Sequence, residues 1–292
     1  MQLQIANRQS VKIKMALQGP SGSGKTFSAL LLAFGLCGDW SKIALIDSEN
    51  HSSQLYAHLG GFNVLNLQPP FTPERYIQAM QSCEKASMEV VIIDSISHEW
   101  EGIGGILETH SSMTGNSYTN WAKLTPRHNA FVQQILQSPA HIIGTIRSKQ
   151  AYVLNEKNGK QVPEKIGLKG VTREGMDYEF TVALNLDMKQ HAAVSKDRTS
   201  LFMGKTEFTI TVGTGKLIKD WCNEFSPAGK LPSNEEILER VNSCKSLDEL
   251  LSLYNQFPRQ QQSLNPEFTK KRHQLLLSKN INQSNNGSAT NK

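Results

Sequence analysis

Cysteine is scarce. Four occur in 292 residues, and none has the C-x-x-C spacing of a zinc site or the density of a disulfide framework. Cys37, Cys83, Cys222 and Cys244 therefore read as reduced, structural residues. Long apolar runs are missing too. The longest, 29-ALLLAFGLC-37, falls far short of the ~20 residues that cross a bilayer, so no membrane partner is expected. The opening MQLQIANRQSVKIKM lacks the basic cluster, apolar stretch and small-residue cleavage site of a secretory signal, which makes the cytoplasm the expected location. Charge of one sign is not in large excess. A net +5 tolerates a polyanionic partner without demanding one, and a solvated surface accounts for it equally well. What remains, 38% hydrophobic and 20% charged, is the composition of an ordinary globular protein. The length suits one substantial core with a smaller appended unit, because single cores stop growing near ~250–300 residues.

The first half alternates apolar, β-branched runs with amphipathic stretches. Strands are expected at 11–17, 42–48, 89–95 and 141–147, and helices at about 25–36, 73–87 and 121–138, with Pro73 and Pro139 as start and stop signals. The strands show little alternation, as strands covered on both faces should, which predicts an α/β fold with a mostly parallel central sheet. After residue 147 the pattern becomes antiparallel. Asn158-Gly159 centres one hairpin, and 178–187 with 191–197 forms a second at the sheet edge. The core is expected over 1–225. A helical C-terminal module follows over 226–279, opened by a linker and a capping box of Ser233 and Glu236. The low-complexity end, 280–292, is expected to be disordered.

The stretch 17-LQGPSGSGKTFSALLL-32 satisfies G-x-x-x-x-G-K-[ST] between a predicted strand and a predicted helix. Gly19, Pro20, Ser21, Gly22, Ser23, Gly24, Lys25 and Thr26 make a loop whose N–H groups and following helix dipole hold phosphate. Lys25 is expected to reach the β- and γ-phosphates of ATP, and Thr26 to ligate Mg²⁺. Two echoes, 204-GKT-206 and 213-GTGK-216, lack the strand-to-helix setting and read as turns.

Mg²⁺ prefers carboxylate and water oxygens, and Asp94 at the end of 90-VVIIDS-95 is the expected partner of Thr26. The strand 43-IALIDSEN-50 ends in Asp47 and Glu49, two residues apart and so on one side of an extended segment. A carboxylate that orients or deprotonates water separates a hydrolase from a nucleotide binder, and Glu49 is the first candidate for that work. Glu99 and Glu101 rank second.

This order of features resembles the RecA-type recombinase core: phosphate loop, acidic pair, helix, then magnesium strand, including the Tyr-Ala and Leu-Gly stretch in 43-IALIDSENHSSQLYAHLG-60. The resemblance covers about residues 10–222 and is closest to short phage-encoded Sak-type ATPases of single-strand annealing and recombination. It implies Glu49 as catalytic base and Asp94 as the magnesium-side carboxylate. It also implies two loops along single-stranded DNA, at 108–120 and at about 147–170, the second Lys-rich with one aromatic. A solvated hairpin is the alternative for the second. Lys196 and Arg198 match cationic fingers that one subunit lends to the ATP of the next, which implies a homo-oligomer, ring or filament; a surface charge cluster is the alternative. The strand that ends in a γ-phosphate-sensing Gln in that family ends here in 144-GTIRSKQ-150, leaving Arg147 or Gln150 for the task. The expected function is an ATP-dependent, single-stranded-DNA-binding recombinase or annealing protein, with a single-strand-binding protein as candidate partner. A hexameric replicative helicase or helicase loader is the alternative.

Overall fold

The structure is a computed structural model that describes residues 8, 11–157, 160–224, 234–256 and 261–285. The side chains of 150–157, 160–167, 255–256, 261–263 and 277–285 lie outside that description. The chain divides into two compact units.

The larger unit runs β1 (Lys14–Gly19), α1 (Lys25–Cys37), β2 (Ile43–Asp47), β3 (Asn63–Asn66), α2 (Pro73–Lys85) and β4 (Val90–Asp94). It continues with α3 (Ser97–Glu101), α4 (Ile106–Ser112), α5 (Ser117–Gln137), β5 (His141–Lys157) and β6 (Lys160–Gly170). It closes with α6 (Met176–Glu179), β7 (Val182–Leu186), β8 (His191–Asp197), β9 (Phe208–Thr209) and α7 (Val212–Asn223). One sheet carries the strands in the order β3-β2-β4-β5-β1-β7-β8-β9, with β6 paired to β5 alone. Pairing is parallel from β3 to β7 and antiparallel for β5–β6, β7–β8 and β8–β9. The expected α/β class with a parallel centre and antiparallel edges is therefore what forms.

Every residue of β2 (IALID) and β4 (VVIID) is buried, which explains why these strands read as unbroken apolar runs. Alternate residues of β1 serve two cores. Met15 and Leu17 join Leu30, Leu32 and Ile218 on one face, and Ala16 joins Tyr76, Met80, Phe131 and Ile135 on the other. Parallel register aligns the carboxyl ends, with Asp47 opposite Asp94 and Gly19 opposite Arg147. Because β5 lies between β4 and β1, Arg147 emerges between the phosphate loop and Asp94.

Several sequence expectations change. The stretch 213-GTGK-216 is no turn but the first turn of α7, held by a capping box of Thr211 and Thr214. A Cβ on Gly35 would stand 2.3 Å from the Val212 carbonyl oxygen and 2.7 Å from Gly215 Cα, so α1 and α7 meet backbone to backbone. Glycine inside a helix costs about 1 kcal/mol, and the close packing offsets it. The segment 108–120, read as a polar loop, is mostly α4 and the start of α5, fixed by stacking of His110 on Trp121 at 4.2 Å and of Trp121 on Trp100 at 5.9 Å. The strand expected from 178 begins at Val182, since Met176–Glu179 is helical. The edge strand β3 was not anticipated. β5 and β6 pair out to Lys157 and Lys160, while Asn158-Gly159, where the sequence centres a hairpin, lies outside the described residues.

The smaller unit contains α8 (Asn234–Ser243), α9 (Leu247–Gln256) and α10 (Gln261–Asn285) around Ile237, Val241, Leu250, Leu264 and Phe268. α10 reaches Asn285 and so enters the segment expected to be disordered; 286–292, like the Ser233 cap, lies outside the described residues. Among the described residues no helix is long and apolar enough to cross a membrane.

Candidate nucleotide site

The phosphate loop leaves β1 at Gly19 and enters α1 at Lys25. Gly22 and Gly24 take φ of 85° and 79°, left-handed values that side-chain-bearing residues avoid and that turn backbone N–H groups inward. Lys25 Nζ donates to the carbonyls of Gly19 (3.0 Å) and Pro20 (2.8 Å). Burial lowers its pKa, against the pull of Asp94 and Glu49.

Asp94 is 3% exposed. Its Oδ2 accepts the Thr26 hydroxyl at 2.6 Å and its Oδ1 the Thr145 hydroxyl at 2.5 Å. Burial pushes this carboxyl up, and the two hydroxyls work in the opposite direction. A hydroxyl and a carboxylate oxygen in contact beside the phosphate loop are hard donors that fit Mg²⁺. The loop itself fits a triphosphate.

The acidic pair does not share one side as an extended segment would place it. β2 ends at Asp47, and the chain turns at Asn50 and His51, both with positive φ. Asp47 faces back into the chain. Its Oδ1 accepts the Glu49 N–H (2.7 Å), and its Oδ2 accepts the Ser53 N–H (2.9 Å) and hydroxyl (2.5 Å). Glu49 is thereby turned into the cleft, where Arg147 grips it with Nε on Oε1 at 2.8 Å and Nη2 on Oε2. His98 Nε2 stands 3.9 Å from the same carboxylate, and burial lowers the His98 pKa.

The side chains of Lys25, Thr26, Glu49, Asp94 and Arg147 line one cleft of about 580 Å³, with Phe27 and Tyr56 as an aromatic wall, their rings 6.0 Å apart. Lys25, Thr26, Glu49, Asp94 and Arg147 are thus brought together. Glu99 is not: it is fully buried against His128. Glu101 pairs with Lys149. Lys196 and Arg198 also lie outside the cleft. β8 runs away from the loop, Lys196 donates to the Tyr178 carbonyl, and Arg198 pairs its backbone with Thr181 near the start of β1. Gln150 pairs its backbone with Leu168, and its side chain lies outside the described residues.

Sequence reasoning missed the Glu49–Arg147 pair, the Phe27–Tyr56 wall and Gln190, which also lines the cleft. For Arg147 the signal existed: a cation ending a buried strand, facing an acidic pair ending another.

A phosphate loop between a buried parallel strand and a helix, with acidic residues closing two neighbouring strands, defines a P-loop NTPase core. The family comparison is narrower. A family model described as AAA domain matches residues 11–212, and the chain belongs to this family of P-loop ATPases. Among curated proteins, none matches the chain.

Proposed function

We propose that the protein is an ATP- and Mg²⁺-dependent ATPase that binds single-stranded DNA and promotes annealing or strand exchange as a homo-oligomer, in the setting of phage or mobile-element recombination. The observation that carries the catalytic half is the meeting of Lys25, the Thr26–Asp94 pair and the Glu49–Arg147 pair in one cleft. Lys25 exchanges the carbonyls of Gly19 and Pro20 for phosphate oxygens. Thr26 and Asp94 hold Mg²⁺, which when bound neutralises charge developing on the phosphate oxygens. Glu49 orients the attacking water. Arg147 is the γ-phosphate-sensing group of this reading, because it stands in the cleft and can pass from Glu49 to phosphate, freeing the carboxylate for water. Lys196 and Arg198 act on the neighbour's nucleotide, and their position outside their own cleft is what action in trans requires.

The DNA half rests on the RecA-type resemblance and on one placement. The hairpin of β5 and β6 begins immediately after Arg147, so a change at the nucleotide has a covalent route into it. Single-stranded DNA should raise ATP turnover severalfold, and Lys25→Ala should abolish turnover with and without DNA. A monomer whose turnover ignores DNA sinks the recombination reading, and unwinding of a forked duplex would favour a motor instead.

A further inference from the structure

The turn between β7 and β8 rests on the phosphate loop, and none of the roles above uses it. β7 runs parallel to β1 with Gln18 opposite Asn185, so the chain leaves β7 beside Gly19. A Cβ on Gly19 would stand 2.7 Å from the Leu186 carbonyl oxygen. Asp187 closes the turn. Its Oδ1 accepts the N–H groups of Lys189 (2.9 Å) and His191 (2.8 Å), and its carbonyl accepts the Gln190 N–H at 3.1 Å. So closed, the turn points two side chains at the two left-handed glycines of the loop. Met188 Cε lies 3.5 Å from where a Gly22 Cβ would be. The Gln190 carboxamide lies over Gly24, its Cδ 3.1 Å and its Oε1 3.4 Å from the corresponding point.

Gln190 is exposed, lines the same cleft as Lys25 and Thr26, and its carboxamide has no hydrogen-bond partner among the described residues. A carboxamide standing over the glycine that precedes Lys25 belongs to the cleft rather than to the core. The apolar wall of the cleft is Phe27 and Tyr56, whereas Gln190 stands beside the loop's own anion-binding donors.

We infer that Gln190 is a nucleotide-contacting residue whose carboxamide donates to the polyphosphate of a nucleoside di- or triphosphate held on the phosphate loop. The inference rests on the nucleotide-binding reading of that loop. A neutral amide suits the place, because it adds a donor beside the phosphates without fixing a charge, and a carboxylate there would repel them.

The test is calorimetric binding of Mg²⁺-ATP and Mg²⁺-ADP to the full chain and to Gln190→Ala and Gln190→Glu, with thermal unfolding alongside. Loss of one neutral donor should weaken ATP ~5-fold in Gln190→Ala. Gln190→Glu should weaken it several times more at low salt, with the excess over Ala shrinking as salt is raised. Melting temperatures should stay unchanged, since the side chain is exposed. Equal weakening by Ala and Glu at all salt concentrations would overturn the phosphate contact, and unaltered binding in both variants would overturn any contact. If the unsubstituted protein bound no nucleotide, the reading of the loop itself would fail, which separates the two failures.

Discussion

Asp94 and Glu99 sit on consecutive elements, Asp94 ending β4 and Glu99 inside α3, and the two carboxyls share burial and the direction of their pKa displacement. Exposure is 3% for Asp94 and nil for Glu99, and burial pushes both up. Their partners differ. Asp94 accepts two hydroxyls and lines the cleft that also holds Lys25. Among the described residues Glu99 accepts only the His128 ring nitrogen, 3.1 Å from both of its oxygens, and His128 is in turn edge-on to Trp100 at 5.5 Å. A hydroxyl and a carboxylate can share a cation between them. An imidazole locked between α3 and α5 offers no such exchange and ties two helices together. A displaced pKa therefore marks burial in both places, and only at Asp94 does the proposed function add a ligand; what decides is the partner and the position beside the cleft.

The comparison breaks most visibly at the cleft. Lys25→Ala and Asp94→Asn should each cut ATP turnover by roughly 100-fold or more while leaving the fold intact, as steady-state phosphate release and circular dichroism would show. Because burial works against the charged form of Asp94, the Asn variant should melt no lower than the parent. A large drop in its melting temperature would assign Asp94 to the fold instead. His128→Ala, which strips Glu99 of its partner, should cost about 3 kcal/mol in urea unfolding and leave the ATP dissociation constant where it was.

A third buried ionisable group sharpens the contrast by pH. Lys14, 4% exposed, donates to the carbonyls of Ser138 (2.8 Å) and Ala140 (2.6 Å), and burial lowers its pKa to about 8. The unfolded chain keeps that proton up to its ordinary value of 10.5. Between the two values the unfolded state binds more protons, so stability should rise as pH climbs from about 8. Denaturant titrations of the parent and of Lys14→Met should differ in that slope.

The smallest effect belongs to Glu74. Its carboxyl is lowered to about 2, chiefly by the Arg127 hydrogen bonds, in a pair that stands half in water. Glu74→Gln should cost about 0.5 kcal/mol at neutral pH. That contribution should be present above the ordinary glutamate range and fade as pH falls toward 2.

Much of this could be read from the chain because it is local. The phosphate loop is a covalent spacing, and β2 and β4 announce themselves as four-residue apolar runs closed by Asp47 and Asp94. Glu49 was legible as a candidate, but its grip by Arg147 depends on the Gly19–Arg147 register, which joins residues distant in sequence. The turn at Gln190 depends likewise on β7 choosing β1 as its neighbour. α4 was missed because its polar sequence carries little helical pattern of its own; aromatic stacking across to α5 and α3 supplies what the pattern lacks. β3 is short and half exposed, and it forms because β2 offers a row of backbone groups to pair with. The stretch 213–216 was misread because two glycines in a row of small residues suggest a turn, whereas here one of them makes room for a crossing helix.

That crossing has a practical meaning for anyone trimming the protein. The family match ends at residue 212, where α7 begins, and Gly215 lies just beyond it. A fragment cut at the family boundary would keep every residue of the nucleotide cleft and lose the helix that clasps the back of α1, along with Ile218 and Cys222 of its core. It should express poorly or melt early, and extending it to Asn223 should restore it.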